Sequence, residues 1–266
     1  MSATTRVAAW QCRPGPLDVA GNLRRLDAAC AAAAAQQAEV LVTPEMFTSG
    51  YAITLAGVLR LAEDAGGPTE AAVAQIARRH HLAIVYGHPE RAPGDSAHKG
   101  RAYNAATMIG ADGAVRGRHR KVHLYGDLDR SQFVANSERP AAFDWDGRRV
   151  GMLVCYDVEF PEAVRSLAVD GAAAVLVPTA NMTGCEEVQD ILIRARAYEN
   201  NCGVVYANYC GADDVLEYNG LSMICGPRGE VLAQADAKTE ELLVADVPTE
   251  SPGTYLADRR ADVYGD

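Results

Sequence analysis

No apolar run in the sequence exceeds about ten residues, half of the roughly 20 that a helix needs to cross a bilayer, so no membrane partner is expected. Positive charge is also short: 25 Lys and Arg stand against 35 Asp and Glu, a formal net charge of −10. A surface of that sign repels nucleic acid and anionic lipid, which removes both as general partners. The one basic cluster, Arg116, Arg118, His119, Arg120 and Lys121, reads as a short solvated basic loop. Cysteine pairing is missing too. The seven cysteines (12, 30, 155, 185, 202, 210 and 225) form no C-x-x-C unit and keep no spacing to histidine. That argues against a structural zinc or a disulfide framework and for a reducing compartment. Met1 to Arg6 is polar and runs straight into a strand-like segment, unlike a secretory signal, so a cytoplasmic location is expected. No Pro/Gly/Ser-rich linker interrupts the 266 residues, which are read as one domain with its core over 6–247 and an irregular tail from Pro248.

What is present is an alternation of short apolar runs and helix-like stretches. Val7–Gln11, Val40–Thr43, Leu82–Gly87, Arg149–Val154, Ala172–Pro178, Val204–Tyr209 and Glu241–Val247 read as strands. Asn22–Ala38, Pro68–His81, Pro161–Asp170 and Glu186–Asn200 read as helices. Two hairpins are expected, Tyr103–Ile109 with Ala114–Arg118 around Asp112-Gly113, and Leu221–Cys225 with Val231–Gln234 around Gly226-Pro227-Arg228-Gly229. The strands are apolar throughout rather than alternating, so their sheets are covered on both faces. The expected fold class is α/β, two sheets packed together with helices outside in four layers.

The chemistry centres on Cys155, at the end of the run Val150-Gly151-Met152-Leu153-Val154 and followed by Tyr156-Asp157-Val158-Glu159-Phe160-Pro161-Glu162. A thiol between a strand and a helix N-terminus meets free backbone N–H groups and a favourable dipole, which lower its pKa and can hold an oxyanion. Functional groups of α/β sheets gather at strand ends. Glu45 follows Val40-Leu41-Val42-Thr43-Pro44, where desolvation raises a carboxyl pKa towards that of a general base. Read alone, Glu45 is equally well a helix N-terminal acid or a surface-turn residue. Lys121 lies just beyond the first hairpin and can stabilise negative charge on a substrate oxygen, although a lysine read alone is ordinary surface charge. His123 is set aside as a base, because two residues after Lys121 it points to the opposite face of an extended segment.

Together these segments resemble the carbon–nitrogen hydrolase family, also called the nitrilase superfamily, whose signature is a Glu–Lys–Cys triad in that chain order. Pro44-Glu45 resembles its glutamate segment, Arg120-Lys121-Val122-His123-Leu124 its lysine segment, and Cys155-Tyr156-Asp157 with Phe160-Pro161-Glu162 its nucleophile elbow. The likeness runs from Val7 to about Val247. It implies an α-β-β-α sandwich that forms a homodimer or higher homo-oligomer through helices, with Glu45 as base, Cys155 as nucleophile, and Lys121 with the Tyr156 N–H as oxyanion donors. It implies no metal and no organic cofactor. The family's second glutamate corresponds to Asp129, with Glu138 as a weaker rival. Arg194, Arg196, Glu199 and Asn200 resemble the family's arginine–glutamate–asparagine pattern and read as structure behind the site. Asn181, Tyr51 and Tyr156 are candidate pocket walls.

Tyr156-Asp157 looks like the amidase and carbamoylase branches rather than true nitrilases, and Thr179-Ala180-Asn181-Met182 looks most like the stereoselective aliphatic amidases. Carbamoylases often carry arginine where this chain has Glu159. Losing that positive charge weakens the case for a carboxylate-bearing substrate, and a pocket edged by Glu159 and Asp129 would suit a neutral or amine-bearing amide. The expected reaction is hydrolysis of a small amide to acid and ammonia through a thioester. An N-carbamoyl amino acid or dicarboxylic monoamide hydrolase is the alternative, with a nitrilase or a non-catalytic scaffold behind it.

Overall fold

The structure, a computed structural model, describes residues 4–93, 100–249 and 254–264. Strand β1 (Thr4–Gln11) leads into helix α1 (Val19–Ala35), whose first turn is capped by the Asp18 carboxylate accepting from Gly21 N at 2.8 Å. Leu26, Ala29, Cys30 and Ala33 recur at helical spacing on the buried face of α1. Next come β2 (Val40–Val42), α2 (Thr54–Leu61), α3 (Pro68–His80), β3 (Ala83–Arg91), the hairpin β4 (Ala102–Ile109) and β5 (Val115–Arg120), and α4 (Gly126–Gln132). The second half supplies β6 (Phe143–Trp145), β7 (Arg148–Met152), α5 (Pro161–Val169), β8 (Ala174–Pro178), α6 (Ile193–Asn200) and β9 (Gly203–Ala207). A small ribbon of β10 (Cys210–Ala212) and β11 (Glu217–Asn219) precedes β12 (Met223–Cys225), β13 (Val231–Gln234), β14 (Glu241–Pro248) and the short α7 (Ala261–Tyr264).

The main strands form two six-stranded mixed sheets, ordered β14-β1-β2-β3-β4-β5 and β13-β12-β9-β8-β7-β6. Each has three adjacent parallel strands at its centre, β1-β2-β3 and β7-β8-β9, flanked by antiparallel ones. Side chains alternate faces along a strand, and that alternation separates three cores. Val40 and Val42 point between the sheets, where they join Val85, Met108, Met152, Val154 and Leu176. Leu41 and Ile84 point the other way, onto Leu26, Cys30, Val73 and Ile76 of α1 and α3. Val175 and Val177 face Val164, Leu167 and Ile193 of α5 and α6. The result is the four-layer α-β-β-α sandwich, and it explains why the strands are apolar on both faces.

Three expectations change in detail. The basic cluster is not a solvated loop. It lies on and just after β5, where Arg116 pairs with Asp112, Arg118 with Glu70, His119 with Asp157 and Arg120 with Glu90. The helix expected over Glu186–Asn200 begins instead with a π-helical turn, Val188–Leu192, before α6. That turn carries Gln189, which is fully buried and donates through Nε2 to Asn219 Oδ1 at 3.0 Å, so the wider turn goes with an inward-facing amide. Helices α2 and α4 are not among the expected helices, being short, eight and seven residues. Among the described residues no helix is long and apolar enough to cross a membrane.

Candidate active site

The first site residue hangs from the end of β2. Glu45 donates its backbone N–H to Thr179 O at 3.1 Å, which anchors the end of one sheet to the end of the other. Its turn packs directly on β3, since a Cβ at Gly87 would sit 2.4 Å from Met46 N and 2.8 Å from Pro44 O, so only glycine fits there. The Glu45 side chain has no solvent exposure, and burial pushes its carboxyl pKa up.

Lys121, equally buried, enters just past β5, its N–H donating to Asn104 O at 2.8 Å. Its ammonium donates to Glu45 Oε1 and to Asp129 Oδ2, each at 2.7 Å. Burial opposes the charge, but the Glu45 and Asp129 carboxylates outweigh it and hold the lysine well above its usual pKa. Asp129 also accepts from Tyr51 OH at 2.8 Å and from Tyr125 N at 2.9 Å. Asp129 therefore braces Lys121 and Tyr51 braces Asp129, both behind the chemistry. Asn104, not singled out in the sequence, donates through Nδ2 to Glu45 Oε1 at 2.6 Å. Two donors thus converge on Oε1, while Glu45 Oε2 is buried with no partner. That oxygen is the one free to take a proton.

Cys155 follows β7 in a left-handed conformation, φ 47°, and begins a tight 3-10 turn, Cys155–Glu159, ahead of α5. Non-glycine residues pay for that backbone, and such strain gathers at functional positions. The Thr179 hydroxyl and the Ala180 N–H lie beside its sulfur and favour its charged form. The dipole-lowered pKa expected from sequence is not found. Burial pushes the Cys155 thiol well above its ordinary value and the Glu45 charge adds to this, while a short 3-10 turn offers little dipole to oppose them. The resting group is a thiol that needs its base. Arg196 steadies the far end of the turn, donating to Val158 O at 3.1 Å and Glu159 O at 2.6 Å while pairing with Glu199 at 3.0 Å.

Asp157, two residues past the nucleophile, is fully buried and fastens this turn to the lysine segment. It accepts at 2.8 Å from His119 Nε2, from His123 Nδ1 and from His123 N, and at 3.2 Å from Val122 N. Burial opposes its charge, but the His119 and His123 hydrogen bonds prevail and hold its carboxyl far below the usual range. His123 is thus engaged as a clamp, its ring stacked on Phe160 at 3.8 Å, and is not available as a base.

Around the site, Tyr156 is half-buried and packs edge-on against Tyr125 and Phe160. Glu159 is half-buried beside Glu187, and burial followed by the Glu187 charge pushes its carboxyl up to about 7. Asn181 belongs to a buried amide network: its Nδ2 donates to Cys185 O at 3.0 Å and Gln189 Oε1 at 3.1 Å, so it holds a loop and does not offer its amide to the pocket. Glu138 is exposed and lines a different cleft of about 300 Å³ with Arg118 and Arg139. Among the described residues no cluster of His, Cys, Asp and Glu has the arrangement to hold a metal ion.

Residues 6–255 match the family model described as carbon-nitrogen hydrolase. A Pseudomonas protegens protein named "Hydrolase in pqqF 5'region" is 46% identical, covering 99% of this chain and 92% of its own length. A Pseudomonas sp. protein named "(R)-stereoselective amidase" is 37% identical over 82% of this chain. Among solved structures, a mutant of the amidase from Nesterenkonia sp. AN1 in complex with butyramide superposes with a TM-score of 0.84, at 35% identity, over 98% of this chain and 95% of that one.

Proposed function

The chain belongs to the carbon–nitrogen hydrolase family and is an amidase of its nitrilase superfamily; from that premise we propose that it hydrolyses a small neutral aliphatic amide to acid and ammonia through a thioester on Cys155. The observation that carries this is the asymmetry of the Glu45 carboxylate, with Oε1 held by Lys121 and Asn104 and Oε2 unpartnered. Glu45 Oε2 takes the Cys155 thiol proton, and the sulfur attacks the amide carbonyl carbon. The carbonyl electron pair moves to oxygen, which Lys121 and the Tyr156 N–H stabilise. Glu45 returns the proton to nitrogen, the C–N bond breaks and ammonia leaves. A water deprotonated by Glu45 then adds to the thioester, the C–S bond breaks, and the proton on Glu45 restores the thiol.

No described residue hydrogen-bonds or ion-pairs with the Glu159 carboxylate, which lies four residues past the nucleophile beside Glu187. A carboxylate-bearing carbamoyl amino acid or monoamide would meet it unfavourably, whereas a neutral or amine-bearing amide would not. The butyramide seen in the Nesterenkonia relative fits the same substrate class. The reading includes a single domain, a cytoplasmic location and a homodimer packed through α5 and α6, where Val169 and Tyr198 stand exposed.

The test is ammonia release from butyramide, alaninamide, an N-carbamoyl amino acid, a dicarboxylic monoamide and a nitrile. Butyramide and alaninamide are expected to lead. No turnover of either would sink the substrate class, and activity surviving Cys155→Ala would sink the mechanism.

A further inference from the structure

Thr179 follows β8 directly, and its residue type alone assigns it no role in the sequence. Its backbone carbonyl holds the Glu45 N–H at 3.1 Å, its hydroxyl lies 3.0 Å from the Tyr206 phenol, and the same hydroxyl stands beside the Cys155 sulfur, where it favours the charged form. Thr179, Glu45 and Tyr206 are at most 1% exposed and Cys155 is 8% exposed, so water cannot substitute readily for any of these contacts. Tyr206 pairs with Val177 across β8 and β9, which places it on the same face as Thr179 two residues on.

We propose that Thr179 is a further catalytic residue, whose hydroxyl, backed by the Tyr206 phenol, is the donor that holds the Cys155 thiolate once Glu45 has taken its proton. This rests on the cysteine mechanism above. In the resting thiol state Thr179 donates to Tyr206 OH. When the sulfur becomes anionic, the Thr179 hydrogen turns onto it and the Tyr206 hydrogen turns onto Thr179 Oγ1. Both hydroxyls rotate and no proton changes owner. Burial holds the Tyr206 phenol well above its ordinary pKa, so it stays protonated and keeps that hydrogen to donate. The Ala180 N–H completes the sulfur's shell from the backbone. The thiolate of a buried cysteine needs such donors, because an uncompensated buried anion is strongly disfavoured.

Replacing the side chain leaves the two backbone contacts in place, so variants isolate the hydroxyl. The experiment follows methyl iodide alkylation of Cys155 against pH, read by mass spectrometry of its peptide in the intact chain, alongside kcat/KM on butyramide. Thr179→Val is expected to move the alkylation profile to higher pH and to lower kcat/KM about 10- to 100-fold, the size of one hydrogen bond to a charged group. Thr179→Ser restores both, and Tyr206→Phe gives a smaller shift in the same direction. A Thr179→Val profile that coincides with wild type, or a serine variant as impaired as the valine one, overturns the proposal. Alkylation needs no amide, so a wild-type chain without butyramide turnover would count against the substrate reading and leave this test intact.

Discussion

Replacing Asn104 by leucine separates the chemistry of Glu45 from the stability of its surroundings. Asn104 Nδ2 donates to Glu45 Oε1 at 2.6 Å, and both side chains are fully buried. The Asn104 side-chain oxygen Oδ1, on the other hand, is buried with no partner. Leucine removes one good hydrogen bond and one unsatisfied acceptor together, so the effect on folding is small, within about 1 kcal/mol. The effect on catalysis is not small. A hydrogen bond to a charged group is worth roughly 1.5–3 kcal/mol, which at 1.36 kcal/mol per decade is a loss of about 10- to 150-fold in kcat/KM. Its direction in pH is also determined. The Asn104 bond favours the ionised carboxylate, so its loss raises the Glu45 pKa further, and the acid limb of the pH–rate profile moves to higher pH. The assay is kcat/KM against pH with a urea unfolding curve on the same protein. A limb that stays in place or moves down, or a loss of stability without a loss of rate, would refute the assignment of Oε1 as the held oxygen.

Cys155→Gly and Cys155→Ala compared by urea unfolding report the cost of the φ 47° backbone. Relief of about 1–2 kcal/mol in glycine offsets its greater unfolded-state freedom of about 0.5–1 kcal/mol, so the glycine variant should match or exceed the alanine one; a glycine variant less stable by over about 1.5 kcal/mol would contradict strain there. Burial lowers the His88 pKa from 6.5 to about 4. The unfolded chain then binds a proton that the folded chain refuses, so stability present above pH 6.5 is lost as pH falls towards 4, by about 3 kcal/mol at most. His88→Gln should flatten the unfolding free energy against pH over that window, and an unchanged slope would remove His88 as the cause.

Much of the architecture was legible because it rests on local, repeated signals. Val40-Leu41-Val42 and Val175-Leu176-Val177 are too apolar to be anything but strands covered on both sides, and the structure puts a core against each face. Glu45 and Cys155 each follow such a strand and Lys121 follows the first hairpin, so their segments could be found from sequence. Their supports could not. Asn104 sits in the otherwise largely apolar stretch Ala102–Ile109, and its amide gains a role only where the fold brings Glu45 from 59 residues away. Thr179 and Tyr206 meet only because β8 and β9 are neighbours. The pKa of Cys155 is not legible in the sequence for a related reason: local sequence shows a turn and a helix start, but burial depends on what the whole chain places on top. Arg118 and Arg120 read as solvated because their partners, Glu70 and Glu90, are distant in sequence.

The Asp157 clamp makes the nucleophile and the cation a single rigid cassette. One carboxylate grips the chain immediately after Lys121 and the turn that carries Cys155, so neither can drift without dragging the other. The surroundings are fastened to that cassette as well. Tyr156 and Glu159 stand in the Cys155 turn itself, Tyr156 packs on Phe160 beneath the His123 ring, and the Tyr125 N–H is held by Asp129. Any change that loosens Asp157 would therefore detune every substrate alike.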